Sequence, residues 1–354
     1  MDDAIEYKYY SAHDIESWLL HGVDNGLSEK IISKPRALAL INHPDVNADS
    51  TLLSVIFVNG EVAAYNAVFP EKLQKPDLTD YVFGTTLYAY PKFLGRGLGY
   101  ATMMHIKEAY DYKYFGLESS KESVFIDERL GSKVIYYDRY KFTLKRTVSI
   151  RNFRTLLSCM YEQVRLYRQN INIKRLKKKS QMTQYQLEYV NYIDDATYQF
   201  IVEHSSKDFF LRSQSVLNWI LKYNLLISAP LLNKVQMRPF GAYYKFFHIY
   251  AVKVLNENNL VGFYMLRERE GEFLLLYLYA EEQFKENVNI SIIEHLLELE
   301  ATSFRTFNDT LTQQLKQYAI ALRVDVEKVS FTMPKDFVID TTLCVQGGDG
   351  DMIT

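Results

Sequence analysis

Pro91-Lys92-Phe93-Leu94-Gly95-Arg96-Gly97-Leu98-Gly99-Tyr100-Ala101 is the stretch on which the fold turns. It places three glycines within five residues, between a β-rich run over Val82–Tyr90 and a helical pattern over about Gly99–Tyr112 (Met103, Ile106, Lys107, Tyr110). Glycines at such a strand-to-helix turn let the backbone approach a ligand closely, with N–H groups pointing outward. Those groups and the helix dipole favour a phosphate or pyrophosphate. Two familiar phosphate loops are excluded. A dinucleotide fingerprint needs glycine where Tyr100 stands, and a nucleotide-triphosphate loop needs Gly-Lys-Ser/Thr where Gly99-Tyr100 stands. A turn that merely packs strand on helix is the alternative reading.

Upstream, Ser11 and Asp14 ahead of Ile15, Trp18 and Leu19 read as a capped first helix. A second helical stretch, Pro35–Ile41, stops at Asn42-His43-Pro44. Leu52–Val58 and Val62–Phe69 flank Asn59-Gly60 as a hairpin. Downstream, the pattern predicts a strand near Tyr114–Ser119, a helix near Ile126–Tyr140 and a strand near Phe142–Ile150.

With this order of elements, Gly95-Arg96-Gly97-Leu98-Gly99-Tyr100-Ala101 resembles the acetyl-coenzyme-A loop of the GNAT N-acetyltransferases, Arg/Gln-X-X-Gly-X-Gly/Ala. Tyr136-Tyr137-Asp138-Arg139-Tyr140-Lys141-Phe142 resembles their Phe-Tyr-Glu-Lys-Leu-Gly-Phe segment. Leu94 departs from the usual Arg or Gln, with Arg96 as a substitute charge, and Lys141 departs from the usual glycine. The resemblance implies that acetyl-CoA rests its pyrophosphate on the backbone of Gly95, Arg96, Gly97, Leu98, Gly99, Tyr100 and Ala101. It also implies that the pantetheine arm adds along Leu87, Tyr88 and Ala89, and that Tyr137 protonates the departing thiolate. Glu118, at the end of the strand after the glycine-loop helix, is the nearest carboxylate in sequence to the expected cleft and the candidate base. Its alternative is an inert surface glutamate.

After Ser180 the pattern restarts. Phe246–Leu255 and Leu260–Arg267 form a second hairpin, followed by a strand at Phe273–Ala280 and a helix at Asn289–Leu299. Laying Leu278-Tyr279-Ala280 on Leu87-Tyr88-Ala89 also puts Phe284 on Phe93, so the chain reads as an internal repeat. Gly95, Gly97 and Gly99 become Glu286, Val288 and Ile290, and Glu281, Glu282 and Glu286 would repel a pyrophosphate. The expected architecture is mixed α/β. Residues 1–150 form a GNAT acetyl-CoA-binding domain, 151–179 a basic helical linker, and 180–354 a diverged GNAT-like domain without a coenzyme-A loop. Each domain is a twisted, mostly antiparallel sheet flanked by helices. Phe210-Leu211-Arg212…Leu217-Asn218-Trp219 resembles an Arg…Leu-X-Trp feature of two-domain acetyltransferases of bacterial sugar and polysaccharide pathways, with a core role for Trp219 as the alternative.

Composition supports a folded chain: 354 residues, 48% hydrophobic and 24% charged, correspond to about two domains. Residues 151–179 carry nine Lys/Arg against Glu162, while the formal net charge is −2, so the rest of the chain is acidic. Phe153, Leu156, Leu157, Met160, Val164 and Tyr167 share one helical face. This segment reads as a connecting helix with that stripe packed inward, or as a basic amphipathic helix for RNA or an anionic membrane surface. No apolar run is long enough for a membrane span, and the acidic N-terminus is unlike a signal peptide, so a cytoplasmic location is expected. Two cysteines and seven scattered histidines offer no zinc set, and no metal is expected. Gly347-Gly348-Asp349-Gly350-Asp351 lacks the downstream glutamate of a calcium loop and reads as a turn.

The function expected is N-acetyl transfer from acetyl-CoA to a primary amine of a small acceptor, such as an amino sugar or sugar nucleotide. An aminoacyl-tRNA-dependent transferase with tandem GNAT-like domains and a non-catalytic acyl-CoA-binding protein are the alternatives. Nucleic acid is not the expected partner, because the basic character does not spread over a domain face.

Overall fold

The computed structural model describes residues 3–71, 81–145, 153–180, 185–223, 244–338 and 343–349. The first half runs β1 (Ile5–Ser11), α1 (Ala12–His21), α2 (Lys34–Ile41), β2 (Thr51–Val58), β3 (Glu61–Glu71), β4 (Tyr81–Ala89), α3 (Leu98–Ala109), β5 (Tyr114–Leu117), α4 (Lys121–Arg129) and β6 (Lys133–Thr143). The long helix α5 (Phe153–Ser180) connects it to β7 (Tyr185–Val190), α6 (Asp195–His204), α7 (Gln214–Tyr223), β8 (Phe247–Asn256), β9 (Asn259–Arg269), β10 (Glu272–Ala280), α8 (Lys285–Glu298), β11 (Ser303–Thr306), α9 (Asp309–Gln317) and β12 (Arg323–Met333).

Local chemistry explains the starts and turns. Ser11 and Asp14 close a reciprocal capping box on α1. Asn59 and Gly60 both take positive φ in the first hairpin, as a two-residue turn of this hand requires. The repeat is real at the level of elements. A shift of 191 residues carries β4 onto β10 end for end, and the short 3₁₀ turn Pro91–Phe93 onto Glu282–Phe284.

The two halves are not two separate sheets. The twelve strands of the described residues form one sheet in the order β1-β2-β3-β4-β5-β12-β6-β11-β10-β9-β8-β7. The sixth strand of each half has crossed over. β12 pairs with β5 of the first half (Phe331 with Leu117), and β6 pairs with β11 of the second (Phe304 with Phe142). The two exchanged strands pair with each other over eleven residues, from Arg323–Thr143 to Met333–Lys133. Neither half therefore completes its sheet alone.

Helices cover both faces. On one face α1, α2 and the turn between them bury Ile15, Leu40 and Ile31 against Leu53, Val55 and Phe83. There α6 and α7 bury Ile201, Val216 and Ile220 against Phe263 and Met265. On the other face α3 covers Ile56, Val58, Val82 and Tyr114, while α8 and α9 cover Tyr264, Leu266 and Phe273. The halves also interlock through side chains. Phe210, between α6 and α7, stands edge-on to Phe83, Phe115 and Phe331 of the first half's sheet, at 5.2, 5.3 and 5.8 Å between centroids. Trp219 of α7 donates its indole N–H to the Ala39 carbonyl of α2 at 2.8 Å. The core reading of Trp219 thus fits its surroundings, with the addition that it fastens one half to the other.

Two expectations are corrected here. The helix expected over Ile126–Tyr140 ends at Arg129, and the strand expected at Phe142–Ile150 is β6, Lys133–Thr143. The reason is Gly131, whose φ of +84° terminates the helix early and leaves Tyr136 and Tyr137 on a strand. The second correction is the orientation of α5. Among its described side chains Gln169 and Leu176 are buried, with the Gln169 amide donating to the carbonyls of Leu144 and Ile320. Val164 and Tyr167, from the apolar stripe, are 51% and 68% exposed. The described part of that stripe faces water, because the polar anchor Gln169 takes the inner side.

Candidate active site

The glycine loop sits where β4 and β5 part. These strands run parallel and pair only at Val82–Tyr114 and Phe83–Phe115. Beyond Phe83, β4 continues to Ala89 with β3 on one side, and among the described residues no strand pairs with its other edge. Thr85 has no partner in the β3 register, because Ala67 faces Thr86 and Val68 faces Gly84. This bulge turns the backbone just where the strands separate. The expected pantetheine edge, Leu87, Tyr88 and Ala89, lies on the far side of it.

Gly97 is the N-cap of α3, and no side chain caps that helix. Gly95 and Gly97 have φ of +79° and +75°, a backbone that only glycine adopts without strain. A Cβ added to either would meet nothing within 4 Å, so the space in front of the loop is open to a ligand. First-turn N–H groups of an uncapped helix, facing open space, suit a phosphate. Leu94 is 65% exposed and has no polar role. Arg96, the proposed substitute charge, is held by Asp3 at 2.8 Å.

The other predicted residues meet on the face that carries α1, α2, α6 and α7. Glu118 follows β5 with a left-handed φ of +58°, which swings its side chain sideways. Arg139 on β6 donates to it at 2.5 Å and also to Glu327 of β12 at 2.8 Å. Arg305 of β11 reaches both Glu327, at 3.4 Å, and Glu272, at 3.0 Å. This chain of charges lies across the exchanged strands. Burial opposes the Glu118 charge, but the hydrogen bond and charge of Arg139, with Arg267 and Arg305 beyond, hold its carboxyl below the ordinary value. Glu118 keeps 46% of its side-chain surface open, so it is reachable from solvent despite its crowded setting. Arg267 is buried, and loss of hydration with the nearby Arg269 lowers it to about 10.

Tyr137 stands two residues before Arg139 on the same face of β6, with Phe331 at 6.3 Å. It packs on the cluster that includes Leu117 and Tyr88. Burial raises its phenol above the ordinary value, and the charges of Cys344 and Asp349 add to that. The helix-ending segment of the kind sought at Tyr136–Phe142 is instead Ile126-Asp127-Glu128-Arg129-Leu130-Gly131-Ser132. In it, Asp127 stands where the resemblance put the tyrosine, so a role for Tyr137 rests on its place on the site face of β6 and not on that motif. Asp127 is fully buried and paired with Lys107 at 2.6 Å, while Thr332 of β12 donates to it at 3.1 Å. It is a structural tie between α3, α4 and β12. Gly131, followed by a strand, was the signal that could have found it.

Two further cavities were missed by sequence. One of about 860 Å³ lies at the opposite, N-terminal ends of β4 and β5, lined by Tyr81, Lys107, Lys113 and Phe337, and so is not the cleft beside the glycine loop. The other, about 620 Å³, borders Leu278–Ala280 of β10 and Lys285 and Asn289 of α8. It is the second half's counterpart of the first cleft. Among the described residues no cluster of His, Cys, Asp and Glu could hold a metal, and no helix is long and apolar enough to cross a membrane.

No protein-family model and no curated sequence matches the chain. Solved structures do. A tandem GNAT protein from the clavulanic acid biosynthesis pathway covers 95% of this chain with all of its own length, at a TM-score of 0.50 and 11% identity. A Pyrococcus horikoshii protein described as an acetyltransferase covers 98%, with 95% of its own length, at 0.51 and 10%. An Enterococcus faecalis protein described as an N-acyltransferase covers 94%, with 73% of its own length, at 0.50 and 11%. The fold is that of a tandem GNAT protein, a GNAT unit followed by a second GNAT-like unit.

Proposed function

We propose that the chain is an N-acyltransferase that moves an acetyl group from acetyl-CoA to a primary amine of a small acceptor. The observation that carries this reading is the open edge of β4 beside the uncapped start of α3, where Gly95 and Gly97 leave open space and the second half carries Glu286 and Val288 instead. The residues suit acetyl-CoA. N–H groups of Leu98, Gly99 and Tyr100 take the pyrophosphate, and the backbone of Leu87, Tyr88 and Ala89 takes the arm. Acetyl-CoA supplies an activated thioester.

On this reading the acceptor enters from the face carrying α1, α2, α6 and α7. Glu118, ionised at neutral pH, holds the acceptor's ammonium near the cleft. Once a proton has passed to water, the amine attacks the thioester carbon, the C–N bond forms and the C–S bond breaks. The extra proton on nitrogen leaves to water, and the thiolate takes a proton from the Tyr137 phenol. A raised phenol keeps its proton at neutral pH, as a donor must. The engagement of Glu118 by Arg139 favours the second reading, a non-catalytic acyl-CoA-binding protein. Thiol release from acetyl-CoA over a panel of amines, amino sugars and sugar nucleotides included, separates the two. Turnover with at least one amine, reduced about 10²-fold in Tyr137→Phe, is the expected result. Binding of acetyl-CoA without turnover on any amine would leave the second reading.

A further inference from the structure

The second cleft is built on the same frame as the first. In β10, Leu275 faces Leu266 and Tyr277 faces Met265, so Leu276 is a bulge without a partner. It lies 191 residues after Thr85, the bulge of β4. β10 parts from β11 after Leu274–Arg305, as β4 parts from β5. The parted edge of β10 carries the chain's own C-terminal segment.

That segment is seated by specific contacts. Cys344 donates its N–H to the Lys207 carbonyl at 2.7 Å and accepts from the Phe209 N–H at 2.9 Å. The Gln346 side-chain oxygen accepts the Leu278 N–H at 2.9 Å, and its amide nitrogen donates to Asp208 at 2.9 Å. Gly348 donates its N–H to the Leu276 carbonyl, the bulge itself, at 2.8 Å. A Cβ on Gly347 would lie 2.0 Å from the Leu275 carbonyl oxygen, and one on Gly348 would lie 2.2 Å from the Tyr277 ring. Glycine is the residue that lets a backbone come this close. Asp349, 1% exposed, accepts the Gln346 N–H at 2.8 Å and closes the turn.

We propose that Cys344–Asp349 is the resident ligand of the second cleft. The segment occupies, on β10, the edge that β4 keeps open.

Two measurements on the full chain test it. In Gly348→Val, hydrogen exchange of the 273–280 and 207–210 amides should rise at least tenfold, because the seated contacts are lost. Acetyl-CoA affinity should stay within about twofold, since the first cleft is untouched. Unchanged exchange in Gly348→Val overturns the seating. If the parent chain does not bind acetyl-CoA, the proposed function fails, and the exchange result still decides the segment's role.

Discussion

Two clefts on one frame show how little separates a ligand site from a structural joint. Both open at a bulge, at Thr85 and Leu276, beside a parallel pair that parts after two or three residues. In the first half the following helix begins at Gly97 with its N–H groups uncapped and open space before the loop. In the second it begins at Lys285 and carries Glu286, Val288 and Ile290 where the glycines would be, and its β10 edge holds Cys344–Asp349. Side chains have replaced space, and peptide has replaced ligand.

The comparison breaks most severely at the exchanged strand. Asp127→Ala would leave the buried Lys107 without its carboxylate, and the Thr332 hydroxyl of β12 with the Gly116 carbonyl alone. Such a loss costs about 3–5 kcal/mol, measured by urea unfolding. Because β12 belongs to both halves, the loss should appear in a single transition. Two transitions, with the second half unaffected, would show that the halves fold independently despite the shared sheet.

The next effect is local. Gly97→Glu places a side chain and a negative charge where a helix N-terminus faces open space, on a backbone with φ of +75°. Acetyl-CoA affinity should fall at least about 10²-fold by calorimetry, from lost phosphate contacts and added repulsion. Val288→Gly, at the equivalent place, should create no second site, because the C-terminal segment still fills the β10 edge. Equal affinity in Gly97→Glu would move the site elsewhere; two sites in Val288→Gly would show that the glycine alone decides.

These outcomes also mark how far the sequence could be read. Gly95-Arg96-Gly97-Leu98-Gly99 is a local signal, since positive φ and the uncapped helix are properties of neighbouring residues, and so it was legible. The hairpins and the 191-residue repeat were legible for the same reason. The boundary at Gly131 was not, because the aromatic run Tyr136-Tyr137 continued a helical pattern past its stopping point. Strand exchange was hidden altogether: β6 and β12 have the same alternation whichever partner they take. The role of Gly347-Gly348 was equally hidden, because two glycines near a chain end look like a turn until Leu275 and Tyr277 are seen against them. Glu118 could be named from its position, but its partner Arg139 comes from a strand whose start was misplaced.

The smallest effect lies at the seam between the halves. His43 is buried beside Trp219, at 4.5 Å between rings, and accepts the Asp45 N–H at its Nδ1. Burial, with a smaller push from Arg212, lowers it to about 3, and burial alone lowers His295, inside the second half, to about 4. Both are neutral when folded, whereas an unfolded chain protonates them below about pH 6.5. The unfolded state therefore binds more protons, and stability is complete above pH 6.5 and lost as pH falls toward 4 and 3. Between pH 7 and pH 5 each histidine should cost about 2 kcal/mol by this linkage. His43→Phe keeps a ring against Trp219 and removes this titration, so its loss over that interval should be smaller than that of the parent chain by about 2 kcal/mol. An unchanged slope would mean that the imidazole of His43 charges freely in the folded protein, and that the contact between α2 and α7 opens to water when it does.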